Sequence, residues 1–404
     1  MGAAIHEPSE WSAYRSPAIL RWHFGLSFAI GLLCCMTICF GQDPRKVLTD
    51  AVTPFVERGE LAGAVMLVAD NNRVLAHVSI GWADIASRDP MKKDSLFWIA
   101  SQSKPITAAA LMMLVDEGKV ELDQPVEKYL PEFRKQMVIV EKGENEMRLQ
   151  LPRHPITVRE ILSHTSGLPF KTTIEDPTLD VLPLASRVRS YAATSLEFQP
   201  GSQYLYSNAG INTAARIIEV VSGQSFQQFL DQRLLEPLGM NDTSFWPTAE
   251  QVKRLAKSYK TGDNKLGLVE TPVAQLFYPL TDRVQRFPMP AGGLFSTATD
   301  VAKFYQMLLN EGQANGRRYL SVQSVHELTR RQTPEGINQN YGLGFQLGPD
   351  TFGHGGAYAT NSIANRKSGL ILIWLVQHAS FPGEGAKAQE AFRHAAAELF
   401  DKRP

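Results

Sequence analysis

Ser95-Leu96-Phe97-Trp98-Ile99-Ala100-Ser101-Gln102-Ser103-Lys104-Pro105-Ile106 decides how this chain is read. An alternating apolar run ends in a serine, and a lysine follows three positions later at what reads as the start of a helix. Ile106, Ala109, Ala110, Met113 and Leu114 then recur at helical spacing up to a stop at Gly118. Residues three apart share a helix face, so the Lys104 amine can reach the Ser101 hydroxyl. A serine becomes a nucleophile when a neighbouring base takes its proton, and lysine is such a base once burial lowers its pKa. The helix N-terminus adds free N–H groups where an oxyanion would form.

The rest of the chain sets the context for that pair. It has 404 residues, 44% hydrophobic and 20% charged, and 41 Lys plus Arg balance 41 Asp plus Glu. This is an ordinary globular composition, long enough for one large composite domain or two. With no net charge and no basic run, nucleic acid is not an expected partner. Residues 24–40 form a nearly unbroken apolar run, preceded by Arg15 and Arg21 and followed by Gly41-Gln42-Asp43. Residues 1–41 therefore read as a secretory signal or a membrane anchor, with residues 42–404 as the catalytic domain, periplasmic, extracellular or held at the membrane outside the cytoplasm. Cys34, Cys35 and Cys39 all lie in that run, so if it is removed the mature chain has no thiol for catalysis, disulfides or metal binding.

Strand signals occur at both ends of the mature chain and helices fill the middle. A helix is predicted over 45–58, followed by strands over 63–68 and 73–80. Residues 137–140 and 147–151 flank Gly143 as a charged hairpin. Thr157 and Glu160 form a capping box with Ile156 and Ile161 as its hydrophobic staple. Further helices are predicted over 209–221, from Ser225 to about Gly239, over 300–309 and over 386–400, with strands at 344–347, 360–364 and 369–376. The expected fold is α/β of the α+β type. A largely antiparallel sheet from both chain ends (about 42–100 and 335–404) is flanked by helices and joined to a helical lobe over about 101–334. The cleft between the two is the expected site.

Two more elements give the serine–lysine pair its weight. Tyr206-Ser207-Asn208 stands in a Gly/Ser-rich stretch just before a helix. A tyrosine near a lysine can pass a proton, and an asparagine can orient a carbonyl. Phe352-Gly353-His354-Gly355-Gly356-Ala357 is read as a segment preceding a strand, its glycines letting a substrate backbone approach and leaving amides for an oxyanion. There is no G-x-S-x-G elbow, no H-E-x-x-H and no clustered His/Asp pattern, so neither a metal nor a cofactor is expected.

S-x-x-K, then Y-x-N about a hundred residues on, then a Gly-containing triplet near the C-terminus resembles the class C β-lactamase and related serine esterase family, from about Val47 to the C-terminus. FWIASQSK (97–104), ITVREILSHTSGLP (156–169), PGSQYLYSNAG (200–210), EPLGMNDTSF (236–245), PAGGLFSTATD (290–300) and FGHGGAYATN (352–361) share the likeness. The resemblance implies Ser101 as nucleophile, Lys104 as its partner and Tyr206 as general base and acid. It gives Asn208 to the substrate amide or to Lys104, and the backbone amides of Ser101 and Ala357 to an oxyanion hole. It leaves open whether Lys104 or Tyr206 takes the first proton. His164 and Ser166 invite a Ser–His reading, but the family position of that segment is a structural turn.

One departure narrows the substrate. Where β-lactamases and transpeptidases of the family usually carry Lys-Thr-Gly, this chain has His354-Gly355-Gly356. A histidine is mostly neutral at pH 7, so the pull on a substrate carboxylate is weakened. The implied activity is ester or amide hydrolysis of a small molecule or peptide, with true β-lactam hydrolysis, D-amino peptidase activity and a non-catalytic binding or sensor domain as alternatives. A lysine at position 354 is expected to favour carboxylated substrates, unless Arg366 already supplies that charge.

Overall fold

Strand β1 (Gly63–Ala69) is buried at every position, and its alternation separates two apolar layers. Ala64, Met66 and Val68 face one cluster; Val65, Leu67 and Ala69 face the other. β1 belongs to a computed structural model that describes residues 43–273 and 276–401. The signal or anchor reading of residues 1–41, with the three cysteines, lies outside the described residues. β2 (Val74–Asp84) and β3 (Asp89–Pro90) follow, while β4 (Gln346–Leu347), β5 (Thr351–Gly355), β6 (Asn361–Asn365) and β7 (Ile371–Leu375) come from the other end of the chain. They make one seven-stranded sheet in the order β4-β5-β6-β7-β1-β2-β3, antiparallel throughout. The chain ends join through β1 and β7, with Met66 opposite Trp374 and Leu67 opposite Ile373.

The principal helices are α1 (Pro44–Glu57), α2 (Ser103–Asp116), α3 (Val158–Ser163), α4 (Leu184–Ala192), α5 (Asn208–Ser222), α6 (Ala298–Leu309), α7 (Val322–Thr329) and α8 (Ala388–Phe400). α1 and α8 cover one face of the sheet, Leu48 and Val52 packing with Trp374 and Phe392, whose rings stack at 5.9 Å. Truncating such a buried aromatic costs about 3–5 kcal/mol. α6 lies on the other face, with Val301 and Phe304 in the cluster that holds Val65, Leu67 and Ile373. α2 runs through that same cluster and is buried from Ser103 to Leu114. The sequence shows one apolar face; the structure encloses the helix on all sides, and Ala108, Leu111 and Met112 complete its apolar surround.

Three local devices bring the site together. The predicted capping box opens α3, Thr157 Oγ1 accepting from Glu160 N and the Glu160 carboxylate accepting from Thr157 N. α3 ends on His164 in the left-handed conformation (φ 63°) and crosses α5 at Gly210, where a Cβ would overlap the carbonyl of Ile161. Strand pair Phe97–Trp98 and Phe295–Ser296, extended by Ile99 N donating to Leu294 O at 3.0 Å, lays residues 290–293 beside Ser101.

Two sequence expectations change. Ser101 does not begin the α-helix: it lies in a 3-10 turn, Ala100–Gln102, and α2 starts at Ser103. Nor is the 352–355 stretch merely a segment before a strand, since β5 is itself paired on both sides. Gly353 allows this, for a Cβ there would overlap the carbonyl of Ser362. The charged hairpin forms as Val138–Lys142 and Met147–Gln150, while a hairpin of Tyr259–Thr261 and Leu268–Glu270 left no clear sequence signal. Among the described residues no helix is long and apolar enough to cross a membrane.

Candidate active site

Ala100, immediately before Ser101, is buried and adopts a left-handed backbone (φ 47°). For an L-residue that conformation costs roughly 1–2 kcal/mol, and the packing of Ala100 with Trp98, Met289 and Phe295 holds it in place. The 3-10 turn that Ala100 opens presents the Ser101 side chain to α2, where Lys104 is fully buried.

Lys104 Nζ has three oxygen neighbours: Ser101 Oγ at 3.1 Å, Asn208 Oδ1 at 2.8 Å and the Ala291 carbonyl at 2.8 Å. All three are uncharged. Asn208 is the first residue of α5, capped by Ser207, whose Oγ accepts from Gly210 N. Tyr206, just before that cap, lines the same cavity as Ser101, and Lys104 Nζ lies 4.6 Å from its ring centroid.

His354, Gly355, Gly356 and Ala357 approach from β5 and the turn after it. Gly356 is required, because a Cβ there would come within 2.5 Å of the Ile99 carbonyl and closer still to Thr360 Oγ1. Ser101, Tyr206, Asn208 and these four residues line one cavity of about 540 Å³, together with Ala100, Phe170, Tyr204, Met289, Ala291, Gly292 and Gln346. The structure thus brings together the residues that the three motifs supply, with Lys104 directly behind Ser101.

A family model described as Beta-lactamase matches residues 48–397. The chain belongs to the β-lactamase family. Protein Rv1367c of Mycobacterium tuberculosis is 32% identical over 355 residues, spanning 80% of this chain and 87% of that protein. Esterase EstB of Burkholderia gladioli is 33% identical over 214 residues, 50% of this chain and 51% of its own. Among solved structures, simvastatin synthase (LovD) from Aspergillus terreus superposes with a TM-score of 0.74 at 19% identity, covering 89% of this chain and 100% of that one. EstCE1, a hydrolase with promiscuous acyltransferase activity, does so with a TM-score of 0.70 at 23% identity, over 87% and 98%. These last two establish a shared fold.

In this β-lactamase-family site burial sets the protonation states. It holds Lys104 well below the ordinary lysine range, with no carboxylate among its hydrogen-bond partners to oppose the shift. Burial also raises the Tyr206 phenol above its usual value, against a smaller opposing effect of the neighbouring Ser101 hydroxyl. His354 is pushed down to about 3, by burial first and then by nearby Lys104.

The third-motif histidine, read from the sequence as a substrate contact, lines the cavity while its two nitrogens bond elsewhere. Its Nε2 lies 2.9 Å from the Tyr341 hydroxyl and its Nδ1 2.6 Å from the Gly355 carbonyl, so both nitrogens are engaged within the protein. Arg366 supplies no charge to the cavity either: its guanidinium stacks on Phe352 at 4.7 Å and donates to the Thr329 carbonyl. His164 and Ser166 form no catalytic pair. Ser166 Oγ accepts from Leu168 N, while His164 packs against Tyr206 with ring centroids 4.6 Å apart.

Sequence reasoning missed Ala291 and Tyr341. Ala291 lies within PAGGLFSTATD, a stretch with family likeness but no reactive side chain; its role is carried by a carbonyl. It is anchored in turn, since Asn212 Oδ1 accepts from Ala291 N at 3.2 Å and Asn212 Nδ2 donates to the Tyr191 hydroxyl at 3.0 Å.

Proposed function

We propose that this chain is an exported serine hydrolase that cleaves uncharged carboxylic esters through an acyl-enzyme on Ser101. The observation that carries the reading is the environment of Lys104. The Asn208 and Ala291 oxygens can only accept, so they take the two N–H bonds of a neutral amine and leave its lone pair for the Ser101 hydroxyl.

In acylation, the Ser101 proton passes to Lys104 Nζ as Oγ bonds to the substrate carbonyl carbon. The carbonyl electrons move to oxygen, for which the amides of Ser101 and Ala357, both cavity residues, are the candidate donors. Collapse of the adduct breaks the bond to the alkoxide, which takes the Tyr206 phenol proton, and the Lys104 ammonium restores that proton. A water follows the same proton path in reverse to release the acid. Burial favours this division of labour: it leaves Lys104 as the free amine that can take a proton and keeps Tyr206 a phenol able to donate.

The preference for uncharged esters rests on the lining. Phe170, Tyr204, Met289 and Gln346 face the cavity, and among the described lining residues there is no Arg, Lys, Asp or Glu. The name of Esterase EstB supports ester chemistry, and the apolar run at 24–40 behind Arg15 and Arg21 supports export. A panel of neutral p-nitrophenyl esters, carboxylated esters, cephalosporins and D-alanyl peptides tests the reading. Turnover is expected for the neutral esters; faster turnover of the carboxylated β-lactams or peptides would contradict it.

A further inference from the structure

Four hydrogen bonds connect the loop that carries Tyr206 to strand β5. Ser207 N donates to His164 Nδ1 at 3.2 Å, His164 Nε2 lies 3.1 Å from Tyr341 Oη, Tyr341 Oη lies 2.9 Å from His354 Nε2, and His354 Nδ1 lies 2.6 Å from the Gly355 carbonyl oxygen. His164, Tyr341 and His354 are 1%, 0% and 2% exposed, which leaves the rings dependent on one another.

The two ends of this chain fix the tautomers of both neutral rings, and the tautomers orient the Tyr341 hydroxyl between them. A backbone N–H only donates, so His164 Nδ1 carries the lone pair and its Nε2 carries the proton. A carbonyl only accepts, so His354 Nδ1 carries the proton. Tyr341 accepts from His164 Nε2–H and gives its single proton to His354 Nε2. The polarity runs one way, from Ser207 to Gly355, and all three rings are neutral. A second proton on His164 Nδ1 would oppose the Ser207 N–H, and one on His354 Nε2 would oppose the Tyr341 hydroxyl. The titratable groups facing the chain are Lys104 from α2, Tyr204 and Tyr206 from the loop before α5, and Tyr305 from α6. None is a carboxylate that would favour an imidazolium.

We propose that His164, Tyr341 and His354 are positioning residues, a neutral one-way strut that sets Tyr206 against the Gly355–Ala357 edge of the cavity. Its effect on rate rests on the acyl-enzyme reading, whereas its hydrogen-bond polarity does not. The strut also accounts for the third motif: where the family usually carries a lysine, this chain places a ring whose nitrogens are both committed to the scaffold. Neither histidine is free to act as a base.

Long-range 1H–15N NMR of the imidazoles in the full chain tests this directly, with His164→Asn and His354→Gln used for assignment. The expected spectrum shows His164 as the Nε2–H tautomer and His354 as the Nδ1–H tautomer, both unchanged from pH 8 to pH 5. Tyr341→Phe removes the central hydroxyl, should leave both tautomers as their backbone partners set them, and strands the His164 Nε2–H and the His354 Nε2 lone pair without partners. It should also lower kcat on a neutral ester by about 10- to 100-fold, the scale of a small misplacement of reacting groups, with KM changed less than about 2-fold. His164→Asn keeps an acceptor for Ser207 N on a backbone that asparagine tolerates, so it should retain the His354 tautomer and exceed His164→Ala in kcat. An imidazolium signal from either histidine above pH 6, the opposite tautomer, or an unchanged kcat in Tyr341→Phe would overturn the proposal. A chain showing both tautomers but no esterase activity would uphold the strut and contradict the acyl-enzyme reading instead.

Discussion

Lys104 Nζ stands 3.1 Å from Ser101 Oγ, deep enough that no part of the lysine is exposed. Burying a charge without a counter-charge is costly, so the environment favours the neutral amine, the form that can accept the serine proton. The reactive population therefore grows as pH rises. The pH profile of kcat/KM should climb through a limb lying below the ordinary lysine pKa of about 10.4. Lys104→Met should lower kcat by roughly 10²- to 10⁴-fold, as expected for loss of a general base. A rising limb at the ordinary lysine value would contradict this role for the amine.

Gly356 and Ile99 meet where β5 passes the segment leading to Ser101. Gly356→Ala should force these two apart, because the added Cβ would sit 2.5 Å from the Ile99 carbonyl. Overpacking of this kind costs about 1–3 kcal/mol. Here it also shifts Ala357 relative to Ser101, so activity should fall by about 100-fold or more while circular dichroism stays native. Activity within a few-fold of the parent would show that this edge of the cavity is not held by that contact.

His354 is enclosed by Tyr341, the Gly355 carbonyl and, nearby, Lys104. From sequence alone, lysine at 354 is expected to improve the handling of carboxylated substrates. The structure changes that expectation: His354→Lys would bury an ammonium near the neutral Lys104 amine, with no carboxylate to receive it. Leaving a buried charge unpaired costs about 3–5 kcal/mol. A clear drop in melting temperature is expected, with no gain for carboxylated esters. A stable variant with improved carboxylate turnover would restore the first expectation.

The strengths of the sequence reading were local. S-x-x-K and Y-x-N each place their groups within three residues, and a capping box, a glycine stop and the apolar runs at both ends carry their own signatures. So the antiparallel sheet, the helical middle and the Ser101, Lys104, Tyr206 and Asn208 grouping could all be anticipated. What escaped depends on contacts distant in the chain. Tyr341 has no motif around it, and its importance arises only when β5 brings His354 within 2.9 Å while α3 brings His164 within 3.1 Å. Ala291 acts through a carbonyl, which no residue pattern records. β5 was hidden because glycines weaken the strand signal, and here they permit the close approach of β6.

Three buried histidines give the fold a pH dependence of known sign. His354 is held down to about 3 and His378 to about 4, each chiefly by burial, and His164 is also lowered by burial. An unfolded histidine titrates near 6.5, so below that pH the unfolded chain binds more protons than the folded one. Their contribution is complete above about pH 6.5 and is lost as pH falls, at up to about 1.4 kcal/mol per pH unit for each histidine. Urea unfolding at pH 7.5, 6.5 and 5.5, above the range where most carboxylates titrate, should show stability falling across the last interval. A flat profile would mean that one or more of these rings accepts a proton in the folded state.

The central claim is a covalent acyl-enzyme on Ser101, and intact-protein mass spectrometry after reaction with a fluorophosphonate or a slowly deacylating ester tests it most directly. One adduct per chain, mapped to the peptide containing Ser101 and absent in Ser101→Ala, is the predicted result. An adduct that persists in Ser101→Ala, or one mapped to another residue, would contradict the account.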